Sequence, residues 1–479
     1  MSPLFEWKPD QLAALKAGGD LVLTASAGTG KTTILVAKYI RELFKIIRDT
    51  PQEELERPGG SPLNRMAAIT FTELAAAQLK QEIRLKLSAV MFGDDREIEQ
   101  VFPGEREVGV LQDFRRDYIA SLIRELDACY IGTIHSFCGR ILRENFIEAG
   151  LSPAFGILAE ETSGRADELQ LEAANEALQA ALAADEYLRA LAARIGYSTL
   201  RSELIYLADR LRTDGYSRID ADSFCAEQRG RWIDEGGKAL ACAGDLLRRM
   251  SAELIGLPSS SLTEKNRQKA DVLGDLLLTA VPLTESVDSL LSSEAGNVLA
   301  ALRTMHLLTG KAPANVNELQ KTYQALYDNG VPGDCPPLKS VAGIGGDEPN
   351  IRSLLAAVRL YTEAYDRRKD ALDLLDFNDL LLRARDLLRD NPSVRERYHR
   401  QFSHIFVDEF QDVDPLQHEI IGLLHQPGPG RALVVVGDGK QSIYRFRGAD
   451  VTSFVDIAEK VSAEGGRQLP LETNFRSNA

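Results

Sequence analysis

Residues 25–33 read Ala-Ser-Ala-Gly-Thr-Gly-Lys-Thr-Thr, directly after the apolar run DLVLT and directly before ILVAKYIREL. No other feature of the chain restricts its fold as much. Glycines followed by lysine and threonine, set between a strand and a helix, form a loop whose backbone N–H groups and helix N-terminus bind phosphate oxygens. Ala25, Ser26, Ala27, Gly28, Thr29, Gly30, Lys31, Thr32 and Thr33 make up this candidate cradle for a nucleoside triphosphate. Lys31 would reach the β and γ phosphates, and Thr32 would ligate Mg²⁺. Ala25 stands where the pattern G-x-x-x-x-G-K-[ST] has its first glycine, while Gly28 and Gly30 keep conformational freedom nearest the phosphates.

A phosphate loop of this kind sits on a sheet covered on both faces, and the rest of the chain supplies one. Short apolar runs recur at 67–71 (AAITF), 130–133 (YIGT), 404–407 (HIFV) and 432–436 (ALVVV), with a sixth candidate at 468–471. Helical patterning separates most of them, which predicts an α/β fold with a doubly wound parallel sheet. Residues 152–370 break that rhythm. The run 169–195 is rich in Ala, Leu and Glu at helical spacing, and further helical stretches are predicted at 239–255, 265–278 and 351–374. The expected domains are therefore 1–151 and 371–479, two parts of one lobe, and an inserted α-helical domain at 152–370. Residues 49–65 and 93–107 are expected to be long mobile surface loops.

Composition narrows the function classes. The chain has 479 residues, 44% of them hydrophobic, enough to bury a sizeable core and to exclude a disordered chain. No apolar run approaches the length of a membrane span, and Met1 leads into a polar, acidic segment, so no secretory leader is expected. Five cysteines without a C-x-x-C pair argue against a disulfide framework or a zinc site, and point to a reducing cytoplasm. A formal charge of -15 argues against a broad nucleic-acid-binding surface.

Two further blocks complete a candidate ATP site. The run at 404–407 delivers Asp408-Glu409-Phe410-Gln411-Asp412 at the edge where ligands of open α/β sheets gather. Asp408 can hold Mg²⁺ and Glu409 can orient or deprotonate the attacking water. The next run ends in Gly437 to Asp450, where Gln441 can sense the γ phosphate. There Tyr444 and Phe446, interleaved with Arg445 and Arg447, either stack on bases or pack in the core.

In this order the blocks resemble the UvrD/Rep family of superfamily 1 DNA helicases. Lys8-Pro9-Asp10-Gln11 is similar to the Q motif, in which Gln11 would read adenine. Residues 68–76 resemble motif Ia, with Phe71 and Thr72 at single-stranded DNA. Residues 132–137 resemble motif Ib, with Thr133 and His135 as further DNA contacts. Asp376-Phe377-Asn378-Asp379-Leu380 resembles the element that re-enters the motor lobe. Residues 408–412 and 437–449 are similar to motifs II and III, the latter with Tyr444, Phe446 and Arg447 on DNA. Residues 471–477 resemble motif IV, which would set Phe475 beside the base and Arg476 on the γ phosphate. The wording ASAGTGKT, GTIHSFC, VDEFQD and VGDGKQSIYRFRGAD is closest to the AddA/RecB helicase–nuclease branch, although Gly439 stands where that branch commonly has proline.

The resemblance implies a RecA-like P-loop lobe with a 1B-like insertion. It implies an ATP- and Mg²⁺-dependent DNA helicase or translocase of 3′-to-5′ polarity, serving double-strand-break repair. Lys31, Asp408, Glu409, Gln441 and Arg476 would be its catalytic residues. Single-stranded and duplex DNA would be its partners, with a second helicase–nuclease subunit. In the family motifs V and VI follow motif IV, and this branch usually carries a C-terminal nuclease domain; this sequence holds neither and reads as the first lobe with its insertion, so the chain alone should bind ATP weakly and turn over little. The alternatives are a non-catalytic module that binds ATP and single-stranded DNA or a partner protein, and an unrelated P-loop ATPase.

Overall fold

The computed structural model describes residues 7–26, 29–55, 57, 59–92, 100–103, 116–158, 163–256, 263–283, 289, 292–304, 314–329, 348–438 and 451–471. Strands β1 (Leu21–Ala25), β2 (Met66–Thr70), β3 (Tyr130–Thr133), β6 (His404–Val407), β7 (Ala432–Gly437) and β8 (Arg467–Leu471) form one six-stranded sheet in the order β3-β2-β6-β7-β1-β8. Every pairing in it is parallel. The two-residue strands β4 (Gly156–Ile157) and β5 (Leu374–Leu375) pair separately. All six apolar runs thus become strands of the sheet, with ends within one residue of those expected.

Alternation explains why these strands are apolar throughout. Val22, Ala67, Ile69, Ile405, Val407, Leu433 and Val435 belong to a core shared with the helices Ile134–Glu144, Phe377–Asp390 and Pro415–Leu424. Leu21, Leu23, Met66, Ala68, Phe406, Val434 and Val436 belong to the opposite core, with the helices Lys31–Asp49 and Glu73–Met91. Successive side chains leave a strand on opposite faces, so a sheet covered on both sides needs apolar residues at every position. All strands run the same way, which gathers the ends of β1, β2, β3, β6 and β7 at one edge.

The chain divides into two compact units. The first comprises Met1–Leu169, Asp209–Ser217 and Asp366–Ala479; the second comprises Gln170–Ala208 and Arg218–Tyr365. In the second, the helices Ala221–Ile255, Glu264–Leu283, Ser293–Thr304 and Ala314–Asn329 enclose their own core, which includes Leu247, Leu273, Leu277, Leu299 and Tyr323.

The run 169–195 is helical as expected, in two helices, Ser163–Ala184 and Glu186–Ile195, the second capped by Asp185, which accepts from the Leu188 N–H. One expectation is corrected. Residues 49–65 are not a featureless loop. They hold the short helices Gln52–Leu55 and Pro62–Arg65, bury Leu63, and are tied by a 3.1 Å hydrogen bond from Arg65 to the Thr50 hydroxyl. Of 93–107, only 100–103 lie within the described residues; Val101 is buried there, and the Trp7 indole donates to the Gln100 carbonyl. Among the described residues no helix is long and apolar enough to cross a membrane.

Candidate nucleotide site and nucleic-acid interface

The phosphate loop leaves the end of β1 and opens the Lys31–Asp49 helix. Gly30 takes φ +80°, a left-handed conformation in which a Cβ is strained, so the glycine is required by the turn itself. No side chain caps this helix, which leaves its first backbone N–H groups for a ligand. Thr29 closes the loop on itself, donating its hydroxyl to the Ser26 carbonyl at 2.8 Å. Ala25 is buried at the strand end, whereas Ser26 and Thr32 are exposed and Thr33 is half-buried. Ala27 and Gly28 lie outside the described residues.

Across from Lys31, β6 ends in two acids. Asp408 extends the ladder, its N–H donating to the Ile69 carbonyl at 2.9 Å. Glu409 then turns left-handed, with φ +51°, one of two non-glycine residues in that region among the described residues. In a straight strand the two carboxylates would face opposite ways; the turn instead brings the Glu409 carboxylate to 3.0 Å from the Lys31 ammonium. Gln411 locks this arrangement. Its amide nitrogen donates to Glu409 at 2.7 Å, and its amide oxygen accepts from the Asp438 N–H, at the end of β7, at 2.9 Å.

Burial, reinforced by the charge of Glu409, pushes Asp408 up to about 6. A cation would relieve that cost. Among the described residues no cluster of three or more His, Cys, Asp or Glu can hold a metal ion. A divalent ion at this place would be held by Thr32, Asp408, water and phosphate oxygens, the sparse oxygen set that Mg²⁺ prefers. The donor set fits Mg²⁺.

Gln11 is buried, and both ends of its amide are engaged within the protein. It donates to the Thr29 carbonyl at 3.1 Å and accepts from the Lys8 N–H at 3.2 Å, so it braces the phosphate loop directly.

The same sheet edge carries the residues expected at DNA. Thr72 and Thr133 are N-caps, accepting from Ala75 N–H and Ser136 N–H, and the Thr133 hydroxyl also bonds Glu73 at 2.7 Å. Their hydroxyls organise the loops that follow β2 and β3. Phe71 is exposed at the end of β2. His135 sits edge-on to Phe377, with ring centroids 5.3 Å apart, and burial lowers its pKa, favouring the neutral imidazole. Phe377 itself is 42% exposed, unusual for a phenylalanine opening a helix otherwise anchored in the core.

The UvrD/REP helicase N-terminal domain matches residues 7–462. The chain belongs to this family. It is 31% identical to an ATP-dependent helicase/nuclease subunit of Pelotomaculum thermopropionicum, over 98% of this chain and 37% of that protein. The corresponding protein of Geobacillus kaustophilus is 28% identical, over 98% of this chain and 38% of that protein. That of Moorella thermoacetica is 27% identical, over 98% and 34%. The chain thus spans less than two fifths of the length of these relatives.

In this UvrD/REP lobe, Lys31, Asp408 and Glu409 come together, with Thr32 exposed beside Lys31 in the first turn of the helix, and Phe71, Thr72, Thr133 and His135 lie along one edge. Gln441, Tyr444, Phe446, Arg447, Phe475 and Arg476 lie outside the described residues. Two residues escape sequence reasoning. Gln411 sits inside the acidic block, but only folding shows that its buried amide joins Glu409 to β7. Phe377 sits in the re-entry block, and an apolar residue directly after an N-cap aspartate was the available signal. The buried thiols of Cys129 and Cys138 are pushed up by burial and are poor nucleophiles.

Proposed function

We propose that this chain is the ATP-binding lobe of a DNA-translocating motor of 3′-to-5′ polarity, part of a helicase–nuclease subunit in double-strand-break repair. The observation that carries the reading is the Lys31–Glu409 pair. It sets the phosphate-binding lysine and the candidate water-orienting carboxylate on one spot, at the sheet edge that also presents Phe71, His135 and Phe377.

The chemistry follows from this chain's own groups. A γ phosphate competes with Glu409 for the Lys31 ammonium, and its greater negative charge favours the exchange. Glu409, released from Lys31 and still held by Gln411, is then available to orient water for in-line attack. Thr32 and Asp408 would hold Mg²⁺, which when bound neutralises charge on the phosphates. Gln411 carries the displacement of Glu409 to Asp438, where the motif III block begins. Gln441 and Arg476 are proposed to read the γ phosphate, and Gln11 to place the adenine through its brace on the loop. Tyr444, Phe446, Arg447, Phe71 and the His135–Phe377 pair are proposed to grip single-stranded DNA. The proposed partner is a second helicase–nuclease subunit, and the proposed location is the cytoplasm.

Binding of a fluorescent ATP analogue with Mg²⁺ and of a labelled oligothymidylate, with ATP turnover measured with and without DNA, tests the reading. The expected result is binding of both, with little turnover by this chain. Binding of neither would sink the proposal, and brisk DNA-independent turnover would favour an unrelated ATPase.

A further inference from the structure

Four charged side chains are packed together at the start of the Phe377–Asp390 helix. Asp376 is its N-cap and forms a reciprocal capping box with Asp379, each carboxylate accepting the other's backbone N–H at 2.8 and 2.9 Å. Both acids are largely buried, which sets two like charges close together away from water. Two cations hold them there. The Arg212 guanidinium forks onto Asp376 at 2.9 and 3.2 Å and also donates to Asp379. The fully buried Lys369 ammonium donates to Asp376 at 3.1 Å and again to Asp379. Every carboxylate oxygen of the pair therefore has a partner, and the charges of these four balance. Asp366 flanks Lys369 at 3.0 Å.

Arg212 reaches this place because Asp209–Ser217, a short piece of the long stretch between the motif Ib-like and motif II-like blocks, belongs to the first unit. The piece is stitched along the helix at three points. Asp209 accepts from Asn378 at 2.8 Å, Arg212 forks onto the capping box, and the Gly215 carbonyl accepts from Arg385 at 2.7 Å. Between the first two points stands Phe377, with its ring on His135.

We propose that Arg212 is a positioning residue for the nucleic-acid edge: by clamping Asp376 and Asp379 it fixes the first turn that holds Phe377 against His135, so a residue far from DNA sets the geometry of a stacking face. This rests on the DNA-binding reading above. A planar fork is needed, because only a guanidinium spans two oxygens of one carboxylate and one of its neighbour; a lysine supplies the charge without that geometry. Without the fork, the two buried carboxylates repel, the capping box opens, and Phe377 loses its fixed position.

Arg212→Lys, Phe377→Ala and the double variant of the full chain test this, with three measurements: oligothymidylate anisotropy, affinity for a fluorescent ATP analogue, and amide hydrogen exchange. Arg212→Lys should speed exchange at 377–382 and weaken DNA binding about fivefold or more, on the order of one lost stacked base. It should leave ATP-analogue affinity within about twofold, since no ligand contact changes. In the Phe377→Ala background, Arg212→Lys should have no further effect on DNA affinity. Should Arg212→Lys fail to fold, Arg212→Met/Asp379→Asn removes the fork together with the like-charge repulsion; the first turn then loses its clamp alone, and smaller changes in the same directions, faster exchange at 377–382 and weaker DNA binding, are expected. Unchanged exchange at 377–382 overturns the proposal, as does an undiminished effect on DNA in the Phe377→Ala background. A wild-type chain with no oligothymidylate affinity sinks the DNA-binding reading and the positioning role with it, while the exchange data alone then show whether Arg212 holds the helix start.

Discussion

Lys31 and Glu409 illustrate how a site residue can be paired at rest and still be available for work. Their side chains are 11% and 38% exposed, so the pair is partly solvated and its loss costs little stability, under about 1 kcal/mol. In the proposed role the ammonium contributes more to a phosphate, as a charge-assisted donor worth about 1.5–3 kcal/mol. Lys31→Ala should therefore lower affinity for an ATP analogue by about 10- to 100-fold while the thermal midpoint moves by only a few degrees. Titration of the analogue and a melting curve check both halves, and unchanged affinity would contradict the assigned cradle.

At the scale of elements, the Lys31–Asp49 helix joins that site to the opposite edge of the sheet. Its Glu42 is buried beside Lys38 at 3.6 Å, Lys45 at 3.0 Å and His404, the first residue of β6, at 3.6 Å. Burial alone would raise the Glu42 pKa, but His404 and the two lysines more than offset it and bring it down to about 2. A folded-state pKa below the unfolded value contributes stability that is present above about 4.5 and is lost as pH falls from there toward 2. Glu42→Gln should lower stability at pH 7 by about 1–3 kcal/mol and flatten the loss of stability between pH 4.5 and 2. Urea unfolding at pH 7 and pH 3 distinguishes these; an equal deficit at both pH values would show that packing, not charge, is responsible. Burial lowers the Lys38 pKa to about 8, and the Glu42 charge opposes part of that fall.

For the whole molecule, three separate cores, two flanking the sheet and one in the second unit, and a formal charge of -15 make different demands. Leu299 is fully buried in the core of the second unit. Leu299→Ala should destabilise that unit by about 2–5 kcal/mol, yet leave ATP-analogue affinity unchanged, because none of the candidate nucleotide residues draws on that core. A matched loss of affinity would show that the candidate nucleotide site depends on this core. With so little general attraction to phosphate, DNA binding should be weak and depend on a local track. The logarithm of the association constant should fall linearly with the logarithm of salt, with a slope reflecting only a few neutralised phosphates, each adding about 0.7 for a single strand. A salt series on oligothymidylate reads this slope directly; a steep one would reveal a broad cationic surface that the composition does not suggest.

The sheet and the phosphate cradle were legible because they depend on local rules. A run such as ALVVV, short, β-branched and bounded by turn residues, favours a doubly covered strand over a helix, and Gly30 encodes the left-handed turn that opens the helix at Lys31. The family resemblance suggested residue roles through the same kind of signal, short contiguous blocks. What only the tertiary structure decided are contacts between residues far apart in the chain. The left-handed turn at Glu409 selects which acid meets Lys31. Gln411 becomes a bridge only because β6 and β7 lie side by side. Asp209–Ser217 joins the first unit through Arg212, whose periodicity marks it merely as a helical residue. Periodicity reports which face a residue occupies, not what lies across from it; a buried charge finds its partner through the packing of the whole chain.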